Sequence, residues 1–222
     1  MEMRVLLSML MICCVGCLPD PGDEDLGDAE EGGTSTVDQA SVSEGFVAGA
    51  GVVTDDFGDE GPVDMSSHPD SLATGMWQAI LWADGAIEQN DTPFDTSDID
   101  CQFGLNTAAA TRNWQSAHGA SVDGSAGPMT LGHADDRLSI CINGSTSTQS
   151  VVRYSGSVHS LFFIRKEGSG SVNHAYQAIG TDGKLRVISY GFISSCSSSF
   201  FLGLPSSGSL CCDGTCKPGC PC

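Results

Sequence analysis

Few side chains in this sequence are suited to chemistry at neutral pH. Five histidines, His68, His118, His133, His159 and His174, are the groups able to exchange protons there. None stands in a metal pattern such as His-x-x-x-Asp or His-Glu-x-x-His. No Gly-x-Ser-x-Gly elbow and no Ser-His-Gly-Cys stretch supplies an activated nucleophile. Glu167 is the only glutamate after Glu88, which leaves a paired-carboxylate glycosidase site poorly supplied. His159, Glu167 and His174 are the one set that could converge across neighbouring strands. The residues therefore point to no cofactor, no bound metal and no assigned catalytic group.

Cysteine chemistry is the richer signal. Eleven cysteines suit an oxidising compartment better than a reducing cytosol. Beyond Cys17 there are eight, Cys101, Cys141, Cys196, Cys211, Cys212, Cys216, Cys220 and Cys222, which can pair in 105 ways. A Cys101–Cys141 bridge would clamp the two ends of the helical region described below, leaving Cys196 to pair into the tail at 205–222. Zinc is the alternative for that tail, but it lacks two separated Cys-x-x-Cys knuckles.

The charge is −19, from 28 acidic against 9 basic residues, and it is unevenly spread. No Lys or Arg occurs between Arg4 and Arg112. That distribution excludes nucleic acid as a partner, because phosphate binding needs clustered cations.

The N-terminus explains the oxidised cysteines. A head with one basic residue, Arg4, leads into an apolar run from Val5 to Val15, long enough for a signal-peptide core and too short to span a bilayer. It ends at Cys14-Val15-Gly16-Cys17, which resembles a bacterial lipobox with Cys14 in place of the usual leucine. The resemblance implies a signal peptide at 1–16, a lipid on Cys17, and a membrane anchor. With Leu18 following, it also implies outer-membrane sorting in a Gram-negative host; simple secretion is the alternative. Residues 17–70 are rich in Asp, Glu, Gly, Ser and Thr without periodicity, and read as a disordered acidic tether. Such a chain spans about 40 Å root-mean-square, extended further by its own repulsion.

Helical periodicity begins at Ser71. Leu72, Met76, Ala79, Ile80, Ala83 and Ile87 form an amphipathic stripe broken near Asp84-Gly85, with Trp77 and Trp82 beside it. Two related stretches follow, 23 residues apart: Asp100-Cys101-Gln102-Phe103-Gly104-Leu105-Asn106-Thr107 and Asp123-Gly124-Ser125-Ala126-Gly127-Pro128-Met129-Thr130. Both read Asp, three residues, Gly, two residues, Thr. Gly104 and Gly127 suit tight turns or positive φ. Thr107 and Thr130 are placed to cap the helices that follow. After the first, Ala110, Thr111, Trp114 and Ala117 share a helical face, and Gly119 is a C-cap.

This pattern resembles the peptidoglycan-binding domain family found in bacterial cell-wall hydrolases. That family has a Gln-Leu-rich first helix, then Asp-Gly-x-Phe-Gly-x-x-Thr-x-x-Ala-Val-x-x-Phe-Gln, then Asp-Gly-x-x-Gly-x-x-Thr. The chain supplies Gln78 and Leu81. It then supplies Asp100, Phe103, Gly104, Thr107, Ala110 and Trp114-Gln115, and finally Asp123-Gly124, Gly127-Pro128 and Thr130. It departs at Cys101, where the family has glycine, at Thr111 and Trp114, and at Leu131-Gly132-His133, which suggest a short third helix. The resemblance covers about residues 72–138 and implies a small three-helix domain at 71–140 that binds peptidoglycan. Exposed amides suit a ligand of amides, hydroxyls and carboxylates. Gln102, Asn106, Asn113 and Gln115 are the candidate contacts.

From 144 to 204 the runs are β-prone, and Gly180-Thr181-Asp182-Gly183 is a hairpin turn between two of them. They read as a small, disulfide-rich antiparallel domain of four to six strands, closed by Phe200-Phe201-Leu202. The expected fold class is α+β: a disordered acidic tether, a three-helix domain and a β domain. The expected function is non-catalytic peptidoglycan binding by an exported, lipid-anchored envelope protein. The alternatives are a wall hydrolase with its site in the β domain, or a scaffold that grips other envelope proteins.

Overall fold

The computed structural model describes residues 45–49, 52–142, 149–166 and 174–205, and the backbone of 211–212. Helix α1 (Leu72–Asp84) starts where the Ser71 hydroxyl accepts the Thr74 N–H at 3.1 Å, and stops at Gly85, left-handed at φ 66°. Helix α2 (Leu105–His118) stops the same way at Gly119, φ 73°. Helix α3 (Pro128–Asp135) opens on a proline, whose missing N–H has no helical partner to lose. None of these helices is long and apolar enough to cross a membrane.

Seven antiparallel strands complete the α+β fold: β1 (Ala48–Gly49), β2 (Leu138–Ile142), β3 (Gln149–Ser155), β4 (Ser160–Lys166), β5 (His174–Ile179), β6 (Leu185–Val187) and β7 (Cys211–Cys212). Their order is β1-β5-β4-β3-β2-β7, with β6 also on β5. The hairpin at 180–183 forms as its glycines dictate, with Ile179 opposite Leu185 and Gly183 at φ 73°. Residues 198–200 form a 3-10 turn instead of a closing strand, and Phe201 is buried behind it.

The helical and β segments are not separate domains. All described residues fall in one compact unit, and one core joins Trp77, Ile80 and Trp114 to Val152, Tyr154, Phe163 and Tyr176. The reason lies in α1. It is buried nearly all round, from Leu72 through Leu81, so it is a central helix and not an amphipathic one. One side meets α2, where the Trp77 and Trp114 rings pack edge to face at 5.1 Å. The end of α1 carries the sheet: the Ala83 carbonyl accepts both the Val158 and His159 N–H groups at 2.9 Å.

Much of the second half of the expected tether is folded. Residues 45–49 and 52–70 belong to the fold, with Val47, Phe57 and Val63 in its core. Two acids of this segment are buried and partnered. Asp56 meets Arg165 (Nε to Oδ2, 2.8 Å) and accepts the Tyr176 hydroxyl. Glu60 accepts the Ala48 N–H at 2.6 Å and the Tyr190 hydroxyl. Residues 1–44, which include the expected signal peptide and Cys17, lie outside the described residues.

This strap sets a pH dependence. Asp135, at the end of α3, accepts the Phe57 N–H at 2.6 Å. Burial pushes its carboxyl up to about 8 against that bond, with the Asp56 and Asp55 charges pushing the same way. An unfolded aspartate releases its proton near pH 3.9. The folded state therefore holds the extra proton between about pH 4 and 8, and stability falls as pH rises through that window. Asp135→Asn keeps a carbonyl oxygen to accept the Phe57 N–H and, like the protonated acid, carries no charge. It is expected to raise the melting temperature by roughly 5 °C or more at pH 8 and to change it little at pH 4, which a pH series of thermal melts measures.

Candidate binding surface

The two related stretches close around two buried glutamines. Gln78, on α1, donates from Nε2 to Asp100 Oδ1 (2.9 Å), the Gln102 carbonyl (3.0 Å) and Thr107 Oγ1 (3.2 Å). Its Oε1 accepts the N–H groups of Asp100 (3.1 Å) and Cys101 (2.7 Å). Gln115, on α2, repeats the arrangement with Asp123 Oδ1 (2.7 Å), the Ser125 carbonyl (2.9 Å) and Thr130 Oγ1 (2.9 Å). It accepts from Asp123 (3.0 Å) and Gly124 (2.9 Å). In each loop the aspartate also accepts the N–H two residues on, from Gln102 or Ser125. Each glutamine thus satisfies both ends of a turn and the threonine beyond it, as buried polar groups require.

This geometry revises several roles read from the sequence. Thr107 and Thr130 are not N-caps; Gly104 and Gly127 hold those positions without side-chain caps, at φ −96° and −92°. Positive φ falls instead on Cys101 (62°) and Gly124 (83°), the residues after each aspartate. Thr111, a departure from the family pattern, has a partner here: its hydroxyl accepts the Trp77 indole N–H at 2.9 Å. Gln115 is fully buried and cannot meet a ligand. Asn113 is exposed, but its Oδ1 accepts the Ile87 N–H at 2.9 Å and holds the loop after α1.

Gln102 and Asn106 are exposed, one on the loop before α2 and the other in the first turn of α2, and that loop is held from three sides. The Gln78 lock fixes it from beneath. Its backbone bridges Asp70, and the Phe103 N–H donates to the Pro69 carbonyl at 2.7 Å. Cys101 forms a disulfide with Cys196, not with Cys141, and so ties the loop to the segment between β6 and β7. Cys141 is likewise disulfide-bonded, and it sits in β2, paired with β3 and β7, away from the loop. Gly75 makes the Cys101 bridge possible: a Cβ there would lie 2.3 Å from Cys101 Sγ. The side chains of Cys211 and Cys212, and Cys216, Cys220 and Cys222, lie outside the described residues.

A second cluster looks chemical and is a joint. Asp84 Oδ1 accepts from Arg137 Nη1 (2.6 Å) and the Ser157 N–H (2.7 Å), and Oδ2 from Trp114 Nε1 (2.7 Å) and the Tyr154 hydroxyl (2.6 Å). Burial works to raise its pKa, yet these donors and the Arg137 charge together lower it. Arg137 also donates to His118 Nε2 at 2.9 Å; arginine accepts nothing, so the His118 proton sits on Nδ1, facing the Trp114 carbonyl at 2.8 Å. Both carboxylate oxygens are occupied, and the group ties α1, α2, the end of α3 and β3 together.

Of the three residues able to converge in the β region, His159 stacks on Trp82 with ring centroids 4.1 Å apart. Glu167 and the His174 side chain lie outside the described residues. No cluster of three metal-ligating side chains occurs among the described residues. The chain matches no protein-family model, no curated protein and no solved structure.

Proposed function

We propose that this chain is an exported envelope protein, lipid-anchored through Cys17, that binds peptidoglycan without cutting it. The observation carrying the reading is the duplicated glutamine lock. It gives a physical role to the residues shared with peptidoglycan-binding domains: Gln78 and Gln115 as locks, Asp100 and Asp123 as turn acceptors, Thr107 and Thr130 as partners. It leaves Gln102 and Asn106 as exposed amides on a braced backbone, the loop and the first turn of α2, which favours binding because little backbone entropy is lost on contact. The core shared with the sheet makes the β region part of the same binding body.

The test is co-sedimentation of the full-length, oxidised protein with isolated sacculi, with the supernatant assayed for released muropeptides. The expected result is pelleting without release. Failure to pellet contradicts the proposal, and pelleting with release would replace it with the hydrolase reading.

A further inference from the structure

A cleft of about 290 Å³ lies between the end of α1, the start of β4 and residues 201–204. Trp82 and His159 stand in it as a parallel stacked pair, 9° between planes, beside Ser160, Leu161, Leu202 and Leu204. Its walls are fixed by backbone. The Ala83 carbonyl holds the Val158 and His159 N–H groups, and the Gly203 N–H donates to the Ile179 carbonyl at 2.8 Å. A Cβ on Gly203 would lie 2.2 Å from the Gly180 carbonyl oxygen, so only glycine lets this wall sit so close to β5.

The lining selects the ligand. Among the described residues it contains no Asp, Glu, Lys or Arg, so a charged group entering it would lose hydration without compensation. Stem peptides and phosphate polymers are disfavoured on that ground. The volume is at the lower end for ligand pockets and suits a single ring. An aromatic pair in a lining with three leucines suits the C–H face of a ring, and the His159 and Ser160 side chains can hydrogen-bond groups at its rim. We infer that the Trp82–His159 cleft is a subsite for an uncharged pyranose, such as the N-acetylglucosamine unit of a wall glycan. The inference rests on the wall-binding reading above and adds the sugar as the element recognised.

Tryptophan fluorescence isolates this site. The chain has three tryptophans; Trp77 and Trp114 are 0% and 1% exposed, and Trp82 alone is partly open. Acrylamide quenching of the full-length protein therefore reports Trp82. A β-1,4-linked N-acetylglucosamine trimer at millimolar concentration should reduce the quenching constant at least twofold. His159→Ala, at an exposed position, and Leu204→Asp, which puts a charge on the 67%-exposed rim, should each abolish that protection. Unchanged quenching in the wild type, protection that survives both substitutions, or protection by an anionic stem peptide instead overturns the subsite. Each of these outcomes is independent of sacculus pelleting, whose failure sinks the wall-binding reading itself.

Discussion

Gln115→Leu is expected to lower the free energy of unfolding by about 3–5 kcal/mol, read from urea midpoints of the oxidised protein. The substitution keeps volume and removes every polar atom of the side chain. It takes the acceptor from the Asp123 and Gly124 N–H groups beside a buried side chain, and leaves the Ser125 carbonyl and the Thr130 hydroxyl with only their own bond at 3.3 Å. Each buried group left unpaired costs about 1–3 kcal/mol, partly recovered by relaxation of the loop. Gln102→Ala, in the related loop but on its surface, should change stability by no more than about 0.5 kcal/mol. The contrast separates the two kinds of residue in the motif, those that build the loop and those it presents.

Asp84→Ala should have a loss of similar size, about 3–5 kcal/mol, because it leaves the buried donors Trp114 Nε1 and Tyr154 Oη and the Arg137 charge without their acceptor. Its pH signature runs opposite to that of Asp135. The folded pKa of Asp84 is depressed, so its contribution is complete above the unfolded value near 3.9 and is lost as pH falls through the folded value. The wild type should therefore weaken on acidification below about pH 4, and Asp84→Ala should show a flatter acid limb in the same urea titrations.

Local features of the fold were legible in the sequence, and non-local ones were not. Gly85 and Gly119 mark the ends of α1 and α2 because a left-handed C-cap is a one-residue requirement. The turn at 180–183 is equally local. The role of Thr107 depends on a glutamine 29 residues earlier, and a threonine after a glycine reads as a cap unless that partner is known. Gln115 reads as a surface amide, and only its counterpart Gln78, at the same place relative to an Asp-to-Thr stretch, could have signalled burial. The strap was missed because acids are normally solvated. The partners of Asp56, Arg165 and Tyr176, lie more than a hundred residues away. The apolar residues Val47, Val53, Phe57 and Val63 were the signal that the acidic segment folds. Cys141 is the partner expected for Cys101 if the helical and β segments are separate bodies, whereas their shared core brings Cys196 to 5.8 Å from it, Cα to Cα.

The central claim is that a braced loop and the first turn of α2 present Gln102 and Asn106 to the wall. It is tested most directly by sacculus binding isotherms of the full-length oxidised protein and its Gln102→Ala/Asn106→Ala variant. The account predicts binding at least tenfold weaker in the variant, with an unchanged melting temperature. Equal binding by the two proteins would contradict it.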